Sequence, residues 1–279
     1  MKVFKTKKRR NIVVITGIIV FLLTGHFQNI IHSFYLQEIP KVDMAEIIYK
    51  ENLSEEDLMT IFSQCGVSPF AAKELIEEGE EELLFTLQEM YFTKPEFERR
   101  YIAFPVTSEE KNVEQITPLV NLKKGDILIS FSTYTLNWRH GHCAIVTDGK
   151  GTILEHLSVG NTSCFSKASK WGKYPAFIVL RHKDEALANL AADYAKENLE
   201  DIDYNILAGI INKDKSDDEE VDGSHCSHLV WQAYKAAGAD IDSDKGIFVT
   251  PSDIAMSEEL EIVQIFGIDT EDYITRIKK

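Results

Sequence analysis

Apolar positions along the chain change period part-way. From residue 54 to residue 91 they recur every three or four residues. Leu58, Ile61 and Phe62 are followed by Ala71, Leu75 and Ile76, then by Leu83, Leu84, Leu87 and Met90. That spacing gives each of three helices one apolar stripe. The punctuation agrees. Ser54 before Glu55, Glu56 and Asp57 makes a cap with an acidic first turn, and Ser68-Pro69 places a cap and then a proline at the first helical position. Residues 36–112 therefore read as a stalk and a small helical subdomain, with the helices between 41 and 104. Such a unit is either packing without chemistry or a lid over a site elsewhere.

From Pro118 the pattern becomes short apolar runs bounded by turn residues. Strands are expected at 127–131, 142–147, 152–157, 176–181 and 261–265. Asp148-Gly149-Lys150-Gly151 is a tight hairpin turn between the second and third. Helices are expected at 184–198 and at 224–237, the latter closed by Gly238, with a short one opening at Thr250-Pro251. Residues 213–222, with five acids in the last six, read as a solvated loop. The class is α+β, without internal repeats.

Charge changes the picture at the N-terminus. Six lysines and arginines fall within the first ten residues. Removing them from the formal charge of −15 leaves −21 on the remainder. A body that acidic argues against nucleic acid as a partner, because phosphate contacts need a cationic surface. It suits a cationic or neutral substrate, or serves solubility alone. The basic start runs into an apolar stretch at 12–23 that thins out by residue 31. Residues 1–35 thus read as a signal anchor, or as a signal peptide if cleaved. The membrane is then a partner through this segment, and the body is exported.

The 279 residues hold four cysteines, Cys65, Cys143, Cys164 and Cys226, with no C-x-x-C pair. Zinc is therefore not expected, and no cofactor is. Cys143 and Cys164 are either a disulfide or two free thiols. Asp240, Asp242 and Asp244 resemble the start of a calcium loop, but Lys245 stands at the turn glycine and Pro251 at the terminal glutamate. Asn52 and Asn161 head glycosylation tripeptides of a kind common by chance.

Two segments carry candidate chemistry. On the helix at 224–237, positions 226, 229, 230, 233 and 237 share an apolar face, so Cys226 points inward from the first turn. Unpaired N–H groups and the helix dipole there stabilise a thiolate and can hold an oxyanion. Gly141-His142 opens a strand, and His142 is the candidate base. His140 and His225 read as surface residues. Cys143 is a rival nucleophile, but as the next residue on the strand it faces away from His142. The group that orients the imidazole is Glu155 or His156, depending on the hairpin register. A two-residue loop places Ala144 opposite Glu155, and Glu155 then shares a face with His142. The tight turn favours that register.

Gly125-Asp126-Ile127, Gly141-His142, Glu155 and Cys226-Ser227-x-Leu229-Val230-Trp231-x-Ala233-Tyr234 together resemble the permuted papain-like hydrolases of YiiX, YaeF and YycO type, relatives of the NlpC cell-wall peptidases. The likeness covers roughly residues 115–265. It implies a circularly permuted papain-like fold over 113–279, with a central antiparallel sheet and packed helices. It also implies Cys226 as nucleophile, His142 as base and Glu155 as the orienting residue, with Tyr204 as a substrate or oxyanion contact. Cys143 departs from the family pattern, where a small apolar residue is expected. The activity implied is hydrolysis of an amide in cell-wall peptide. A lipid acyl amide or ester is the alternative substrate, and a surface binding module without catalysis is the alternative function.

Overall fold

The structure is a computed structural model and describes residues 16, 33–208 and 223–270. It is a mixed α+β protein with two antiparallel sheets. The expected apolar N-terminal segment and the acidic loop at 213–222 fall largely or wholly outside the described residues. Among the described residues no helix is long and apolar enough to cross a membrane.

From residue 33 on, four helices come first among the described residues: α1 (Ala45–Ile48), α2 (Glu55–Cys65), α3 (Pro69–Glu78) and α4 (Glu81–Tyr91). Ser54 and Asp57 close a capping box on α2, each side chain bonding the other's backbone N–H. Then the chain departs from the helical expectation. Phe97–Ala103 (β1) and Val106–Lys111 (β2) form a hairpin instead. With Thr133–Thr135 (β4) and Trp138–Arg139 (β5) they make a sheet in the order β1-β2-β4-β5. The remaining strands are β3 (Ile127–Ser130), β6 (His142–Val146), β7 (Thr152–Glu155), β8 (Cys164–Lys167), β9 (Phe177–His182) and β10 (Leu260–Phe266). They build the main sheet in the order β10-β9-β3-β6-β7-β8, every neighbour antiparallel.

The central strands β3, β6 and β9 are buried on both faces, so their residues alternate between two cores. Ile127, Ile129, Cys143 and Ile145 face α5 (Glu185–Asn198), α6 (Cys226–Ala236) and α7 (Pro251–Ala255). Leu128, Ala144, Val146 and Val179 face the other way, onto Ile61, Leu75, Leu84 and Leu87 of the first helices and onto Trp171. Those helices thus pack behind the sheet, on the face opposite α6, and share its core. Each such branched side chain contributes about 1.5–3 kcal/mol on burial.

The glycine and aspartate before β3 turn out to be framework. Gly125 has φ +90°, and a Cβ there would lie 2.6 Å from the Ala188 Cβ of α5. Its carbonyl accepts a 2.6 Å hydrogen bond from Tyr234 Oη of α6. Asp126 is buried and takes a two-pronged contact from Arg181 of β9, both bonds 2.8 Å. Together they fix α6 against the sheet, and α6 carries the cysteine.

Candidate active site

The hairpin register places the first two groups. Ala144 pairs with Glu155, so His142 and Glu155 share a face of adjacent strands. His142 Nε2 donates to Glu155 Oε2 at 2.9 Å, and both side chains are buried. That bond commits Nε2 and leaves Nδ1 as the ring nitrogen for Cys226. The imidazole lies flat on Trp171, with centroids 5.2 Å apart and planes 19° apart. Gly141 lets the strand begin where it does. Its φ is +80°, and a Cβ would sit 2.8 Å from the Ser130 carbonyl and 3.4 Å from Pro251.

Glu155 has further partners. Ser166 Oγ donates to Oε1 at 2.5 Å, and Lys170 Nζ donates to the same oxygen. Burial alone would raise the carboxyl. The hydrogen bond and charge of His142, with the charge of Lys170, outweigh burial and hold it down at about 2. Burial likewise opposes charge on His142. Hydrogen bonds to Cys226 and Glu155 win, and the imidazole is pushed up to about 9.

Cys226 is the first residue of α6, not the third as a helix from Ser224 would have it. His225 is the cap, and its side chain accepts from the His228 N–H. Cys226 is only 9% exposed. Its thiol lies well below the ordinary range. The largest cause is a hydrogen bond from Cys143, which outweighs burial, with further bonds from His142 and His225. The Cys143 thiol is in turn pushed well up, by burial and by the neighbouring sulfur.

Two expectations therefore need correction. Cys143 does face away from His142, into the core under α6, but that is where the Cys226 sulfur lies, at the end of the helix. It is a partner of Cys226 and no rival to it. Its pairing with Cys164 does not occur, and all four cysteines are free thiols. His225 is buried and not on the surface, because the helix starts two residues later than expected, which makes it the cap, and the ring stacks on Phe248 at 4.7 Å. His140 is exposed, and its Nε2 bonds Thr135 Oγ1 at 2.8 Å. His156 is buried, bonds the Asn161 carbonyl at 3.0 Å and takes no part in the His142 contact.

A cavity of about 390 Å³ opens onto Cys226. Tyr204, His225, Phe248, Arg139 and His140 are among its walls. Tyr204 is brought there by a bridge to Ser224 and by edge-on contact with His156 at 4.9 Å. No residue of the first four helices lines this cavity, so as placed they are not a lid over it. Asp242, Asp244 and Asp253 bring carboxylate oxygens within 4.8 Å of one another, apart from Cys226. Asp242 is buried, Asp253 half-buried and Asp244 exposed, and no metal chemistry is assigned to them.

The arrangement brings the Cys226 thiol, the His142 imidazole and the Glu155 carboxylate together, with Cys226 lining a pocket. Searches against protein-family models and curated proteins find no match, so the family likeness stands on these residues alone.

Proposed function

We propose that the protein is a thiol hydrolase acting on an acyl bond, with Cys226 as nucleophile, His142 as general base and acid, and Glu155 as the orienting carboxylate. The observation that carries this is the continuous contact Cys226–His142–Glu155, with Cys226 lining a cavity. Perturbed pairs of titratable groups that meet in a pocket mark reactive centres.

In this reading the Cys226 thiolate attacks the carbonyl carbon of the substrate. A C–S bond forms and the carbonyl electrons move to oxygen. The first-turn N–H groups of α6 have no intrahelical acceptor, so those of Cys226 and Ser227 are placed to hold that oxyanion. The His142 imidazolium gives its proton to the leaving amine or alcohol. Water then attacks the thioester, His142 takes its proton, and the acid product leaves with Cys226 restored. Glu155 keeps the ring in place and stabilises its cation throughout.

The permuted papain-like fold remains part of this proposal. An antiparallel sheet with a helix-borne cysteine, preceded in the chain by the strand-borne histidine, supports it. With the basic and apolar N-terminus, cell-wall peptide is the substrate class this reading favours for an exported enzyme. The test uses an activated ester, p-nitrophenyl acetate, and intact-mass detection of the acyl-enzyme. The expected result is one acetyl group on Cys226, lost in Cys226→Ala and slow to hydrolyse in His142→Ala. Equal acetylation of the wild type and Cys226→Ala would overturn the proposal.

A further inference from the structure

The smaller sheet ends in two hairpin tips that lie side by side. Phe104 and Pro105 turn β1 into β2, and Leu136 and Asn137 turn β4 into β5. The tips touch, since the Leu136 N–H donates to the Pro105 carbonyl at 3.3 Å. Their side chains are not in the core. Phe104 is 77% exposed, Tyr101 69% and Leu136 59%. Leu136 is doubly unfavourable, because its backbone also sits at φ +48°, where a two-residue hairpin ordinarily uses asparagine or glycine. A non-glycine residue held there costs about 1 kcal/mol or more.

The strands that carry the first tip are balanced in charge, since Glu98, Glu109 and Glu110 offset Arg99, Arg100 and Lys111. Residues 99–108 and 131–141 contain Arg99, Arg100 and Arg139 and no acidic residue, in a chain of formal charge −15. Arg99 lies over the Tyr134 ring at 4.0 Å and 3.6 Å from Glu109, and Arg100 pairs with Glu98 at 2.6 Å. Exposed aromatic and aliphatic side chains on a surface whose arginines are paired match the interfacial zone of a bilayer, where rings sit at headgroup level.

The route of the chain supports the same orientation. The apolar segment at 12–31 leads directly to Ser33. Ser33 docks on this sheet, donating from N and Oγ to Glu109 Oε2 at 3.1 and 2.6 Å, with its Oγ 2.9 Å from Ser132 Oγ. Glu109 is five residues along β2 from Phe104, or about 17 Å at the rise of a strand. With residues 1–35 read as a signal anchor, the chain meets this sheet at Ser33, about 17 Å from the hairpin tips, a spacing that lets both meet one surface.

We infer that Tyr101, Phe104 and Leu136 rest on a lipid bilayer surface as a second membrane contact beyond the N-terminal segment. Thr135 and Arg139, at the two ends of the second hairpin, also line the cavity over Cys226. The contact would therefore hold the cavity mouth close to the membrane plane. The inference does not depend on the chemistry of Cys226.

The test is depth-dependent quenching on the full chain in nanodiscs of phosphatidylcholine and phosphatidylglycerol, with acyl chains brominated near the headgroup. Phe104→Trp supplies the reporter, Leu136→Trp a second one should the first fail to fold, and Leu190→Trp on α5 the control. The three native tryptophans, Trp138 beside the tip among them, set the baseline. The expected result is that the emission each tip reporter adds to the wild type falls roughly twofold in brominated relative to plain lipid, while the emission added by the control is unchanged. Quenching no greater than that of Leu190→Trp would overturn the inference. So would a chain that fails to enter nanodiscs, or tip reporters that respond only to protein concentration, which would mean that a second copy covers them.

Discussion

Replacing Glu155 with glutamine removes one negative charge from a buried site and leaves its shape. In the wild type His142 rises from 6.5 to about 9, a preference for the imidazolium of roughly 3 kcal/mol. Cys226 and Glu155 share that preference against the cost of burial. A charge-assisted hydrogen bond contributes about 1.5–3 kcal/mol, so the carboxylate accounts for about half of it or more. The His142 titration should therefore fall by about one pH unit or more in Glu155→Gln. Lys170 then has no carboxylate beside the ring, which pushes in the same direction. The assay is a histidine-selective NMR titration, with the His142 signal assigned by its loss in His142→Gln. Stability should follow with a defined sign. The folded imidazole sits above its unfolded value, so its contribution is complete below about 6.5 and fades as pH rises through about 9. The carboxyl sits below its unfolded value, so its contribution is present above 4.5 and fades as pH falls toward about 2. The variant's deficit should thus be largest between those two unfolded values and shrink above pH 9. An unmoved His142 titration, with a deficit equal at all pH values, would refute the reasoning.

Cys143→Ala should raise the titration of Cys226 by about one pH unit, since it removes a donor to the thiolate, and Cys143→Ser should restore most of it. The pH dependence of iodoacetamide labelling checks this, and equal profiles for alanine and serine would reduce Cys143 to packing. Lys111→Met should stabilise the protein at neutral pH. Lys111 is buried with Thr117 Oγ1 as its hydrogen-bond partner and lies 4.2 Å from the Phe266 ring, and burial brings its ammonium down from 10.5 to about 7. Between those values the unfolded chain holds the extra proton, so wild-type stability climbs with pH. The gain from methionine should shrink from pH 7 to pH 10 in urea unfolding, and a gain constant with pH would contradict the argument.

Much of this architecture was readable along the chain, and the unread parts have physical causes. The turn at Asp148-Gly149-Lys150-Gly151 is short enough to leave one register, which is why Ala144 opposite Glu155 could be anticipated. The α6 stripe at Leu229, Val230 and Ala233 is similarly strong. The smaller sheet was not readable. β2 reads Val-Thr-Ser-Glu-Glu-Lys, yet Glu109, Glu110 and Lys111 are buried and satisfied by Ser33, Ser108 and Thr117, contacts that only the fold supplies. Strand alternation cannot reveal a strand whose inward residues are charged. Cys143 was misjudged for a related reason. Strand parity placed it correctly, but the end of a helix stands over the strand, so groups on both faces of the sheet reach one sulfur. His225 was read as a surface residue because it lies off the apolar stripe, and a histidine cap is uncommon.

The central claim is that Cys226 and His142 form one ionised pair. The direct test is the rate of iodoacetamide labelling at Cys226 against pH, followed by peptide mass spectrometry, in the full chain and in His142→Ala. The account predicts a thiolate that reacts well below pH 8 in the wild type and titrates like an ordinary buried thiol in the variant. A profile that His142→Ala leaves unchanged would contradict it and leave a pocket with a cysteine but no catalytic pair.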